Sequence, residues 1–122
     1  MIYHYPSNFL ATEQRDLLKV LAHTYLQYGL AEKAAILLHA IYAVDPSDRN
    51  VVKSLAYAYV HSDRPHDAML LLDRLLDAGN PGKEVFLLRS LAYTRMGRRA
   101  DAARSMRYFI GARSGSAESE PR

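Results

Sequence analysis

The chain has 122 residues, 49% hydrophobic and 24% charged, which suits one globular domain with a modest core. It holds no cysteine, so disulfides, cysteine-ligated metal and a thiol nucleophile are excluded. A formal net charge of +3 does not by itself point to nucleic acid, and no stretch reaches the ~18 consecutive apolar residues of a membrane span.

Residues 1–11 come first. They carry Ile2, Tyr3, Tyr5, Phe9 and Leu10, too many apolar side chains for an inert tail. They show no basic segment and no apolar run of signal-peptide length, so a cytoplasmic location is expected. Six helices follow, at about 12–28, 31–44, 48–62, 65–78, 82–96 and 98–111. In the first, Leu18, Leu21, Ala22 and Tyr25 make one apolar stripe, because positions three, four and seven apart share a helix face. Gly29 suits the left-handed residue that ends this helix, and Gly97 does the same for the fifth. The second helix, Ala34 to Val44, is apolar nearly all round and calls for cover on both sides. Pro46 closes that unit, and Ser47 or Asp48 starts the third helix. Asp63 with Pro65 starts the fourth, which carries Met69, Leu70, Leu71, Leu72, Leu75 and Leu76. Asn80 and Pro81 start the fifth. The sixth sets Asp101, Arg104 and Ser105 opposite Ala102, Met106 and Phe109, and so can solvate its own outer face. Residues 112–122 are polar and expected to be disordered. No segment alternates with period two.

A longer period overrides these local signals. Tyr25, Tyr59 and Tyr93 stand 34 residues apart, as do Ala34, Ala68 and Ala102, and the turn residues Gly29, Asp63 and Gly97. Leu18, Val52 and Phe86 fall in the same register, as do Leu38, Leu72 and Met106. A helical pair that recurs at this interval signals a stacked repeat array, and such arrays are mostly binding surfaces.

These residues resemble the tetratricopeptide repeat, in three copies over about residues 15–112. The resemblance implies an all-α fold of three helix-turn-helix repeats stacked in a short right-handed superhelix. It is weakest in the third copy, where Arg89 takes the place of an apolar residue and Leu88, Ala92 and Met96 would rotate in. The stretch from Tyr25 through Gly29, Ala34 and Leu38 to Ile41 further resembles the opening repeat of small chaperones of bacterial type III secretion, most of all the SctY (YscY) type. That resemblance implies a cytoplasmic protein that binds and stabilises an exported, SctX-like partner and helps deliver it to the export gate. Chaperones of translocator or needle subunits share much of the pattern, and a scaffold that forms a homodimer is the alternative outside secretion.

In such repeats the first helix of each pair lines the concave face, and its groove residues lie off the packing stripe. The expected partner-binding residues are Lys19, His23, Leu26 and Gln27, then Lys53, Tyr57, Val60 and His61, then Leu87, Leu91, Thr94 and Arg95. Their apolar members would be buried by an amphipathic or extended partner segment. Arg98, Arg99, Arg104 and Arg107 form a candidate docking patch for an acidic surface of the export machinery. A clamp for an acidic chaperone tail is disfavoured, because His23 and Ser54 stand where asparagines are wanted and Glu84 and Leu88 replace a basic pair. His61 and His66 straddle a helix break and share no face, so no metal or other cofactor is expected. Asp73 and Asp77 read as a solvated helix face, and no phosphate loop or nucleophile motif is present, so no catalysis is expected.

Overall fold

The computed structural model describes residues 12–114, with side chains described through residue 111. The expectations for residues 1–11 and 115–122 lie outside the described residues. Helices α1 (Thr12–Gln27), α2 (Ala31–Val44), α3 (Arg49–His61), α4 (Pro65–Asp77), α5 (Lys83–Arg95) and α6 (Arg99–Ser114) follow in order, and no strand occurs among the described residues. The expected ends shift by about a residue, except that α6 runs on to Ser114, into the segment expected to be disordered. Each helix packs on the next, and α3 also packs on α5, so three helix pairs stack side by side.

The 34-residue period is written into the backbone. After α1 the chain enters the left-handed region at Gly29 (φ 75°), after α3 at Asp63 (φ 63°) and after α5 at Gly97 (φ 77°). In each case the amide one residue on returns to a tyrosine carbonyl: Leu30 to Tyr25 at 2.8 Å, Arg64 to Tyr59 at 2.8 Å and Arg98 to Tyr93 at 2.9 Å. This is the Schellman arrangement, which satisfies a carbonyl that the helix end would otherwise orphan. Asp63 therefore ends α3 instead of capping α4, whose N-cap is Arg64 with no side-chain hydrogen bond. Arg64 and Arg98 lie over the rings of Tyr59 and Tyr93, at 4.5 and 5.1 Å from the centroids. The tyrosines thus mark the hinge of each pair.

A Cβ at positive φ is strained, and glycine relieves that strain. Asp63→Gly is therefore expected to stabilise the protein by about 0.5–1 kcal/mol, raising the thermal midpoint. A lower midpoint would show that the aspartate side chain itself supports the turn.

The core runs through the contacts between pairs. Ala22, Ala34, Leu38, Ile41, Leu55, Ala56, Ala68, Leu72 and Val85 are fully buried or nearly so. The alanines let helices approach, and the leucines and isoleucine fill the space beside them. Leu21 departs from the expected stripe: it is 40% exposed, and Leu18, Ala22, Tyr25 and Leu26 are the residues of α1 that meet the core. Ser105 is buried, not exposed, because it shares a face with Ala102, three residues earlier on α6. In α5, Val85, Leu88 and Ala92 form the buried face, while Arg89 reaches Asp73 of α4 at 2.6 Å and the Tyr93 hydroxyl at 3.0 Å. The arginine side chain is itself largely buried, 15% exposed, with its charge paired to Asp73 and its Nε without a hydrogen-bond partner. The apolar outer faces of the second helices are only partly covered: Ile36 of α2 and Leu70 of α4 are 71% and 65% exposed.

Candidate partner-binding groove

Helices α1, α3 and α5 present one residue per turn toward a common face. At 34-residue spacing these residues form three rows: Lys19, Lys53 and Leu87; then His23, Tyr57 and Leu91; then Gln27, His61 and Arg95. One helical turn separates each row from the next. The helices enclose an open groove of about 530 Å³ lined by His23, Leu26 and Gln27 of α1, Lys53, Ser54 and Tyr57 of α3, and Glu84, Leu87 and Leu88 of α5. Tyr57 stands at its centre, 39% exposed, with its ring tilted at 43° against that of His61, the centroids 4.2 Å apart.

The structure thus gathers His23, Leu26, Gln27, Lys53, Tyr57 and Leu87 of the expected residues. Val60 is a correction. It is 1% exposed and belongs to the core, because α3 is covered by neighbours on both flanks. Leu91 packs partly against the core, and Lys19, Thr94, His61 and Arg95 stand around the groove without lining it. His61 instead lines a smaller recess with Gly29, Leu30 and Ser62. Ser54 and Glu84, weighed in the sequence only as clamp positions, and Leu88, weighed there as a clamp and a packing position, are groove residues. Leu88 serves core and groove together, being buried yet at the groove wall.

One rim of the groove is closed by charges that already have partners. Lys19 donates to Asp48 at 2.7 Å, and Lys53 to Glu84 at 3.3 Å. One turn earlier, Arg15 reaches Asp45 at 3.3 Å, while Arg49 donates to the carbonyls of Gly79 and Asn80 at 2.7 and 2.5 Å. Arg15 and Arg49 are 34 residues apart, as are Lys19 and Lys53, so α1 and α3 each use cations at the same register to tie to the segment that leads into the next pair. His23 and Ser54 add a 3.2 Å bond between α1 and α3. Of the positions an acidic-tail clamp would need, His23 and Ser54 are engaged with each other, Lys19 is bound to Asp48 and Glu84 to Lys53.

Asp48 carries two of these duties. Its other oxygen caps α3 by accepting from the amides of Asn50 and Val51 at 3.1 and 3.3 Å. Burial alone would raise its pKa, but Lys19 and the two amides outweigh it and hold the carboxyl below the ordinary value of 3.8. Asp48→Ala is expected to cost about 1–2 kcal/mol at neutral pH. Because the folded pKa is depressed, this contribution is complete above the unfolded value and fades as pH falls through the folded one. Urea midpoints of wild type and variant should converge in acid, and a gap that stays constant with pH would refute the ionic part of the argument. At the opposite rim, burial and then the charge of Arg95 lower the pKa of His61, favouring the neutral imidazole.

Comparison with protein-family models and with curated proteins finds no match to this chain. The groove's chemistry must therefore be judged from its own residues. Its floor offers apolar carbon, one aromatic ring and paired ions. Among the described residues no three histidine, aspartate or glutamate side chains gather to share a metal ion, and no helix is long and apolar enough to cross a membrane. Of the expected docking patch, Arg98 and Arg104 both bind Asp101, at 2.6 and 2.5 Å. Arg99 and Arg107 are exposed and form no ion pair among the described residues.

Proposed function

We propose that the chain is a non-catalytic chaperone built of tetratricopeptide-like repeats, which holds a segment of an exported protein in the groove between α1, α3 and α5. The observation that carries this reading is an open apolar groove centred on a half-exposed tyrosine, with its rim lysines already neutralised. Such a surface gains from covering apolar area, at roughly 25 cal/mol per Å², less the cost of ordering the partner segment. The similarity of Tyr25 through Ile41 to type III secretion chaperones of the SctY type supplies the setting: a cytoplasmic role, an SctX-like client and delivery to the export gate. Arg99 and Arg107 suit that last step as contacts for an acidic surface.

Co-expression with neighbouring reading frames, followed by affinity purification and light scattering, tests the proposal. A stable one-to-one complex with an exported protein is the expected product. A homodimer that takes up no neighbour would overturn it. A second reading, a self-associating scaffold, draws on α1 and the turn after it, where Leu17, Val20 and Tyr28 are more than half exposed.

A further inference from the structure

The two joints between successive helix pairs are built differently. At both, the later pair brings small or branched apolar side chains to the contact: Val51 and Ala58 at the first joint, Val85 and Ala92 at the second, all buried. Between these residues the two joints diverge. Leu55 fills the middle of the first and is fully buried. Arg89, 34 residues on, takes that place in the second. Its guanidinium pairs with Asp73 of α4, while its Nε is buried without a hydrogen-bond partner. A buried, partly unsatisfied guanidinium adds little to the closed joint, because its desolvation offsets the ion pair. The connecting segments differ in the same sense. Before α3, Asp45 accepts from Ser47, Asp48 caps the helix with its side chain, and no residue of 45–48 stands at positive φ. Before α5, Gly79, Asn80 and Gly82 all stand at positive φ, and the N-cap Gly82 brings no side-chain bond.

We propose that α5 and α6 swing as one body about Gly82, and that this swing widens and narrows the groove. The pair is tied within itself. Ser90 donates to the Ala102 carbonyl in a buried bond of 2.9 Å, and the Phe86 and Tyr108 rings lie 5.9 Å apart. The pivot is fixed on its near side, where Arg49 of α3 holds the carbonyls of Gly79 and Asn80. Freedom is left to Gly82, which has no side chain to restrain it. Beyond the pivot, Lys53 of α3 meets Glu84 of α5 at 3.3 Å, an exposed ion pair that separates at little cost. A small movement of α5 away from α4 lets water reach the Nε of Arg89. That hydration offsets part of the apolar contact given up at Val85 and Ala92. Leu87 and Leu88 travel with α5 while Leu26 and Tyr57 stay behind, so the width of the groove follows the swing. Collective motion about a few linker residues belongs to the microsecond-to-millisecond range. It does not depend on what the groove holds.

The test uses the full chain, which has no native cysteine. Glu32, His66 and Ala100 stand 34 residues apart, each exposed and second in its helix, in α2, α4 and α6. Spin labels on Glu32→Cys with His66→Cys span the first joint, and labels on His66→Cys with Ala100→Cys span the second. Distances measured by pulsed electron resonance should spread more widely across the second joint than across the first. Arg89→Leu, the residue type of the first joint, should narrow the second spread to match. Arg89→Met, uncharged and unbranched, takes its place if circular dichroism shows that leucine is not accommodated. Equal spreads across the two joints would overturn the proposal. A wide second spread that neither substitution narrows would also overturn it, as ordinary looseness of the last pair. A second spread that widens in the variants would show instead that the arginine locks the joint.

Discussion

Tyr57→Asp is expected to weaken partner binding about a hundredfold or more while leaving the helices folded. Tyr57 is the largest exposed apolar group at the centre of the groove, 39% exposed and resting on His61. A bound partner would bury that ring, for a gain of about 1.5–3 kcal/mol. The aspartate loses this and adds a carboxylate that must be desolvated without a cation, since Lys53 is already bound to Glu84; that costs about 1–3 kcal/mol more. The sum, about 2.5–6 kcal/mol, is roughly two to four orders of magnitude in Kd. Folding is spared because the side chain leaves from the open side of α3 and fills no core space. Tyr57→Phe should bind nearly as wild type. Titration calorimetry against the co-purified partner decides the matter, and near-normal affinity in the aspartate variant would sink the groove assignment. Leu91→Asp is a poorer probe, because Leu91 also packs on the core and its loss would mix folding with binding.

Leu55→Ala is expected to have the largest effect on stability, about 3 kcal/mol. Leu55 is fully buried in α3 among residues from both neighbouring pairs, so the alanine leaves a cavity that rigid helices on either side cannot close. Against a total stability of about 5–15 kcal/mol this is a large fraction, and the thermal midpoint should fall by roughly 10–15 °C. Leu21 holds the same register in α1 but is 40% exposed, so Leu21→Ala should cost well under half as much. Urea unfolding of the two variants measures the contrast directly. Equal losses would mean that burial in the central pair does not govern the fold's stability.

That pairing of Leu21 with Leu55 also explains what the sequence revealed and what it hid. The period was legible because each repeat solves the same backbone problem, a left-handed residue followed by an amide returning to a tyrosine carbonyl. Helix ends and most packing alanines follow from that geometry. Asp63 was misread as a cap because aspartate is at home both before a helix and in a left-handed turn, and only its register with Gly29 and Gly97 separates the two. Burial was less legible, since equal register does not mean equal surroundings. The central helix α3 is packed from both sides and buries Val51, Ala58 and Val60 beyond the ordinary stripe, whereas α1 buries only Ala22. Val60 was therefore assigned outward and Leu21 inward, each in error for the same reason. Groove residues on α1 were read more accurately because that helix has fewer neighbours to claim them.

The row that begins with Lys19 and Lys53 ends in Leu87. Both lysines spend their charge bolting one helix pair to the next, through Asp48 and Glu84. The third position of the row carries no charge, and there the chain places an apolar side chain that helps wall the groove. A position that is structural hardware in two of the described repeats becomes, in the third, ground on which a contact surface can evolve. Arrays of this kind can therefore gain new specificity at one repeat without loosening the joints that hold the others together.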